Sequence, residues 1–92
     1  MSYRVELSRQ ARKAFLALPK RERRVAGRRL RALEETPRPP GAKALTEKLR
    51  GYYRLRVGDH RILYAVDESA QVVHIARIGP RHSVYGDFER GL

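Results

Sequence analysis

With 92 residues the chain has room for one small domain, 1–92, and a core of about a dozen apolar side chains. It has no cysteine, which excludes disulfides, a thiol nucleophile and a cysteine metal site. Lys and Arg number 21 against 10 Asp and Glu, a net charge of +11. Such a surface attracts polyanions, of which nucleic acid is the commonest; a merely solvated basic surface is the plain alternative.

The opening, MSYRVELSRQ, has no apolar run of the signal-peptide kind, and no segment approaches the roughly 20 apolar residues of a membrane span. A soluble, cytoplasmic protein without a membrane partner is therefore expected. Tyr3 to Leu7 alternates and predicts a short strand. Ser8 is placed to cap a helix. Ala11, Ala14, Phe15 and Leu18 follow at helical spacing and form one apolar stripe. Pro19 ends that helix. A second helix is predicted from Arg21 to Glu35, with Ala26, Leu30 and Leu33 inward and Arg23, Arg24, Arg28 and Arg31 outward. Gly27 inside it costs about 1 kcal/mol relative to Ala. Thr36 to Gly41 (TPRPPG) is a proline-rich connection without regular structure. Ala44 to Arg50 reads either as a short helical turn or as the approach to the next strand.

GYYRLRVGDHRILY, from Gly51 to Tyr64, is the most informative stretch. It predicts a β-hairpin about Gly58-Asp59, with Gly first as a type II′ turn prefers. A two-residue loop sets Val57 opposite His60 and Arg56 opposite Arg61. Alternation then puts Arg54, Arg56 and Arg61 on one face, and Tyr53, Leu55, Val57, Ile62, Tyr64 and Val66 on the other. Like charges directly opposite one another destabilise a sheet, so the pairing of Arg56 with Arg61 calls for an anion on that face. Val72 to Ile78 is a further strand, with Val73 and Ile75 inward. Gly79 to Tyr85 leaves the sheet, and the tail from Gly86 to Leu92 is polar and weakly helical.

The expected fold class is α+β: one small β-α-α-β-β-β domain with an antiparallel curled sheet and two helices packed on one face. The other face is left open with its arginines. His60 beside the turn is expected to be exposed and inert, and His74 incidental. Three histidines without cysteines or clustered carboxylates give no metal-site spacing, so neither a metal nor a cofactor is expected.

The segments Leu49 to Asp67 (LRGYYRLRVGDHRILYAVD) and Val72 to Tyr85 (VVHIARIGPRHSVY), with the opening YRVELSRQARKAFLALPK, resemble the RelE/ParE toxin superfamily of type II toxin–antitoxin modules. The resemblance covers nearly the whole chain. Within the superfamily, RelE-like members cleave mRNA on the ribosome, whereas ParE-like members act on DNA gyrase. The RelE-like pattern implies two basic residues on the first hairpin strand, here Arg54 and Arg56, and an arginine opening the next, here Arg61. It also implies a basic residue after the last strand, here Arg81, and a tyrosine near the C-terminus, here Tyr85. Two departures stand out. Both strand positions often hold lysine and here hold arginine, and Pro80 replaces the middle residue of a Gly-His-Arg or Gly-Lys-Arg motif, with His82 after the arginine.

The resemblance thus implies a toxin that cleaves ribosome-bound mRNA by attack of the 2′-hydroxyl, with Arg56, Arg61, Arg81 and Tyr85 catalytic and Arg54 and His82 contacting RNA. Arginine forks suit phosphate oxygens, and Tyr85 suits base stacking. Arginine does not give up its proton, so Tyr85 and His82 are the candidates for proton transfer. The implied partners are a cognate antitoxin, the ribosome with its mRNA, and operator DNA reached through the antitoxin. The alternatives are a ParE-like gyrase inhibitor without catalysis, and a non-catalytic basic module that only holds nucleic acid.

Overall fold

A computed structural model describes residues 2–92. Strand β1 (Arg4–Leu7) leads into helix α1 (Arg9–Ala17) and then helix α2 (Lys20–Ala32). Ser8 caps α1 as its sequence suggests: its hydroxyl accepts from the Ala11 N–H at 3.1 Å. The same hydroxyl donates to the Ala76 carbonyl at 2.7 Å, so one side chain starts the helix and fastens it to the sheet. Pro19 separates the helices and provides the N-cap of α2 without a side-chain bond.

Residues 36–41 form no helix or strand. Strand β2 (Lys43–Ala44) and a 3₁₀ turn (Glu47–Leu49) resolve the segment the sequence left ambiguous. The hairpin follows as β3 (Tyr53–Val57) and β4 (His60–Asp67), then β5 (Val72–Pro80) and a third helix, α3 (Val84–Arg90). The expected strand, helix, helix, strand order is present, with β2 and α3 added. β5 runs two residues beyond the predicted Ile78 because His60 and Arg61 pair with Pro80 and Gly79.

The sheet order is β1-β5-β4-β3-β2. β2 to β5 pair antiparallel, as expected. β1 instead joins β5 in parallel. The helices carry the chain across one face from edge to edge, so β1 belongs to no hairpin. Between Leu63 and Tyr64 the β4/β5 register shifts, so that Leu63 faces Arg77 and Tyr64 faces Ile75. The shift leaves Ala76 without a partner, the signature of a bulge.

The core lies between the helices and one sheet face. Ala11, Leu18, Ala26, Leu30 and Leu33 meet Leu55, Val57, Ile62, Tyr64, Val73 and Ile75 there, so the stripes read from periodicity are the buried ones. The second face is closed at its centre. Leu63 alternates with Arg61 onto that face, yet it is fully buried. α3 lies on the same face: Gly79, in register with Arg61, has Val84 so close that a Cβ would stand 3.2 Å from its Cγ2. Tyr52 and Phe88 add an edge-to-face contact with centroids 4.9 Å apart.

Past Leu7 the free edge of β5 is covered by one side chain. Gln10 Nε2 donates to the Ile78 carbonyl at 3.1 Å, and the Ile78 N–H donates to Gln10 Oε1 at 3.2 Å. The amide stands in for a strand residue. The opposite end of the sheet holds a tyrosine cluster. Tyr64 donates to the Pro37 carbonyl at 2.8 Å and stacks on Tyr53 at 5.7 Å. Arg38 bonds the Tyr53 hydroxyl at 3.0 Å and pairs with Glu68, which also accepts from Tyr3. Burial pushes the Tyr64 phenol up to about 12. The proline-rich loop is thereby anchored without regular structure of its own.

Candidate functional site

The hairpin turn sets the geometry of the site. Gly58 has φ +57 while Asp59 is not in the positive-φ region, the combination that defines a type II′ turn. Val57 faces His60 and Arg56 faces Arg61 in the expected register. β3 and β4 therefore present Arg54, Arg56 and Arg61 on the face away from α1 and α2.

These three arginines line an open cleft of about 620 Å³ together with Arg81, His82 and Tyr85. All six residues singled out from sequence are thus in one place. Arg81 arrives at the end of β5, where its N–H donates to the Asp59 carbonyl at 2.9 Å. That bond carries the ladder past Pro80 and sets Arg81 beside the hairpin turn. Tyr85 comes from the first turn of α3 and is half-buried; Arg81 and His82 are exposed.

Arg61 differs from its sequence reading. An exposed side chain on an open face is expected, but only 9% of the residue is accessible. Its Nη1 donates to the carbonyls of Gly58 at 3.1 Å and His60 at 2.9 Å. Folding back over the turn shortens its reach and fixes its direction. Arg56 remains exposed, so the two opposed cations separate by depth, which relieves part of the repulsion between directly opposite like charges.

The far wall was not legible as part of the site. Lys43, Ala44, Leu45 and Thr46 line it. Lys43 sits in register with Arg54. The only available signal was a two-residue strand, too short to show alternation. Among the described residues no carboxylate lines the cleft, so its cations are uncompensated from within, and the local field favours anions. Arginine and lysine together offer fixed donors for phosphate oxygens, while His82 and Tyr85 offer the groups able to move a proton.

His60 is neither exposed nor inert. Its Nδ1 lies 2.6 Å from Glu22 Oε2 with both side chains largely covered, which joins the hairpin turn to the first turn of α2. His74 is exposed, 3.9 Å from Glu6. Among the described residues no group of histidines, cysteines and carboxylates could hold a metal ion, and no helix is long and apolar enough to cross a membrane.

Comparison with known proteins follows the same lines. A search of curated proteins finds no match. Solved structures do match. A RelE–RelB complex from Pyrococcus horikoshii OT3 is 33% identical with a TM-score of 0.74, over 90% of this chain and 99% of that one. The RelBE2 toxin–antitoxin complex of Mycobacterium tuberculosis is 28% identical with a TM-score of 0.77, over 88% of this chain and 100% of that one. The isolated E. coli RelE toxin, 23% identical, shares the fold with a TM-score of 0.75 over 99% of this chain and 100% of that one. The family described as the ParE toxin of the type II toxin–antitoxin system, parDE, matches residues 5–85. The fold is that of the RelE toxins, and the chain belongs to the RelE/ParE superfamily of type II toxins.

Proposed function

We propose that this toxin is a ribosome-dependent endoribonuclease that arrests translation by cutting mRNA, acting in the cytoplasm and held in check by a cognate antitoxin. The observation that carries the reading is the convergence of Arg54, Arg56, Arg61, Arg81, His82 and Tyr85 on one carboxylate-free cleft. The reaction needs no external nucleophile. The 2′-hydroxyl oxygen attacks the adjacent phosphorus and loses its proton, the bond from phosphorus to the 5′-oxygen breaks, and that oxygen takes up a proton. The products are a cyclic phosphate and a 5′-hydroxyl.

Arg61, already held by two carbonyls, is the natural donor to the phosphorane oxygens, with Arg56 beside it; such preset donors are often the largest catalytic contribution. Arg81 offsets charge on the leaving oxygen. Tyr85 stacks on a base and, with His82, is the proton-transfer candidate. Arg54, with Lys43 across from it, holds the message backbone. The toxins of the two similar complexes named above are bound to antitoxins, which supports an antitoxin partner here; contact with operator DNA would run through that partner.

The match to the ParE family favours a second reading, inhibition of DNA gyrase without catalysis. One experiment separates the two. Purified toxin is incubated with free mRNA, with ribosome-bound mRNA, and with gyrase plus supercoiled DNA. The nuclease reading expects cuts only in ribosome-bound message; efficient cutting of naked RNA, or an effect on gyrase alone, overturns it.

A further inference from the structure

A second concentration of positive charge lies away from the cleft. Seven of the 13 residues of α2 are cationic, on the layer that covers the opposite sheet face. Its single carboxylate, Glu22, is already engaged by His60. Arg23 is committed too, its Nη1 donating to the Leu16 carbonyl at 3.2 Å. Arg21, Arg24, Arg28 and Arg31 are different. They follow one another at spacings of three and four residues, all four are exposed, and among the described residues none is in an ion pair. At 1.5 Å per residue they form a stripe about 15 Å long.

That stripe works against its own helix. Like charges three and four apart destabilise a helix by a few tenths of a kcal/mol per pair. Lys20 and Arg21 place positive charge at the helix N-terminus, where the macrodipole is itself positive, and Pro19 supplies no side-chain cap. A regular row of guanidinium groups suits a regular row of phosphates.

We infer that the α2 stripe is a second RNA-binding surface that grips the phosphate backbone of double-helical RNA while the cleft on the other face receives the single-stranded message. The choice of RNA over DNA rests on the reading of the cleft given above; the existence of the stripe does not. The full-length toxin would be tested with a labelled blunt RNA duplex, which offers no unpaired nucleotide to the cleft, and with a DNA duplex of the same sequence. The variants are R21Q/R24Q/R28Q/R31Q, the corresponding all-lysine variant, and R54Q/R56Q in the cleft. Loss of four phosphate contacts should weaken RNA-duplex binding at least about 10-fold near 0.1 M salt and lower the slope of log K against log salt by about 3. The all-lysine and cleft variants should bind the duplex within about twofold of wild type. Wild-type affinity and slope in the glutamine variant overturn the inference, as does loss of duplex binding in the cleft variant alone. Weakened DNA binding with RNA binding untouched overturns the choice of RNA. Cleavage of ribosome-bound mRNA, measured on the same variants, reports on the cleft separately.

Discussion

Glu22 and His60 meet at 2.6 Å across the seam between the first turn of α2 and the hairpin turn. The contact sits one residue from Arg61, whose guanidinium is held by the His60 carbonyl. Gly58 is involved as well, because a Cβ there would lie 3.2 Å from the Glu22 carboxylate. The helical layer therefore supports the arginine-bearing turn from behind. Glu22→Ala should lower stability by about 1 kcal/mol, the usual cost of one partly covered polar pair, and should lower cleavage further than that loss explains. Thermal denaturation and a cleavage assay on the same sample check both; unchanged activity at reduced stability would confine the pair to packing.

Arg61→Ala should reduce cleavage of ribosome-bound mRNA by about 100-fold or more, the effect of removing one preset transition-state donor. Because Arg61 is only 9% accessible, its stem also packs, and some stability should go with it. Arg61→Met keeps most of that stem and should fold like wild type while remaining inactive. A well-folded Arg61→Met that still arrests growth would place the chemistry elsewhere.

Gly79→Ala should push α3 off the sheet. The new Cβ would meet Val84 Cγ2 at 3.2 Å and Val84 Cβ at 3.3 Å, and crowding of this kind costs about 1–3 kcal/mol. Tyr85 rides on the same turn of helix, so activity should fall with it. Proteolysis within residues 84–90 of the variant, ahead of the rest of the chain, would report the detachment; equal protection would show that α3 accommodates the methyl group.

Tyr64 and Glu68 stabilise the opposite end of the sheet in different ways. Tyr64→Ala removes a fully buried aromatic ring and should cost about 3–5 kcal/mol. Tyr64→Phe only leaves the Pro37 carbonyl without its donor, a loss of about 1–2 kcal/mol. Chemical denaturation should rank them in that order.

A pH dependence of stability is expected from the carboxylates of the β4/β5 turn. The hydrogen bond from Tyr3, then that from Arg38, holds Glu68 below its ordinary 4.5. The Ala70 N–H, then the Ser69 hydroxyl, lowers Asp67. A carboxyl depressed in the folded state binds protons more readily when unfolded. Its contribution is therefore fully present above the unfolded value and is lost as pH falls through the lower folded one. Tm should drop as pH is taken from 5 toward 3, and the drop should be shallower in Glu68→Gln. Parallel curves for the two proteins would assign the acid sensitivity to other groups.

Local rules made most of this fold readable. Ser8 and Pro19 bracket α1, alternation sorts Leu55 from Arg56, and a positive φ at Gly58 is what a glycine-first turn requires. What sequence could not give was contact between distant segments. Lys43 enters the cleft through a strand of two residues, below any period. The pairing of His60 with Glu22 joins positions 38 apart. The depth of Arg61 depends on two carbonyls of its own turn, and the helicity of α3 on the seat that Gly79 offers Val84. Arg54, Arg56 and Arg61 are legible as a set because they alternate, and Arg81 only through the family resemblance; how each is held is a property of the assembled sheet.

The Gln10 amide on Ile78 also limits how this sheet can grow. A chain seeking to add a strand meets backbone already engaged where β5 outruns β1. The remaining edges are the outer side of the four residues of β1 and, at the other end, the two residues of β2 with the part of β3 beyond them, and a strand laid on β2 would run beside Lys43 at the rim of the cleft. Addition at that edge therefore lies next to the cleft, whereas addition at β1 lies at the far edge of the sheet, and Gln10 shortens that second landing place by occupying Ile78.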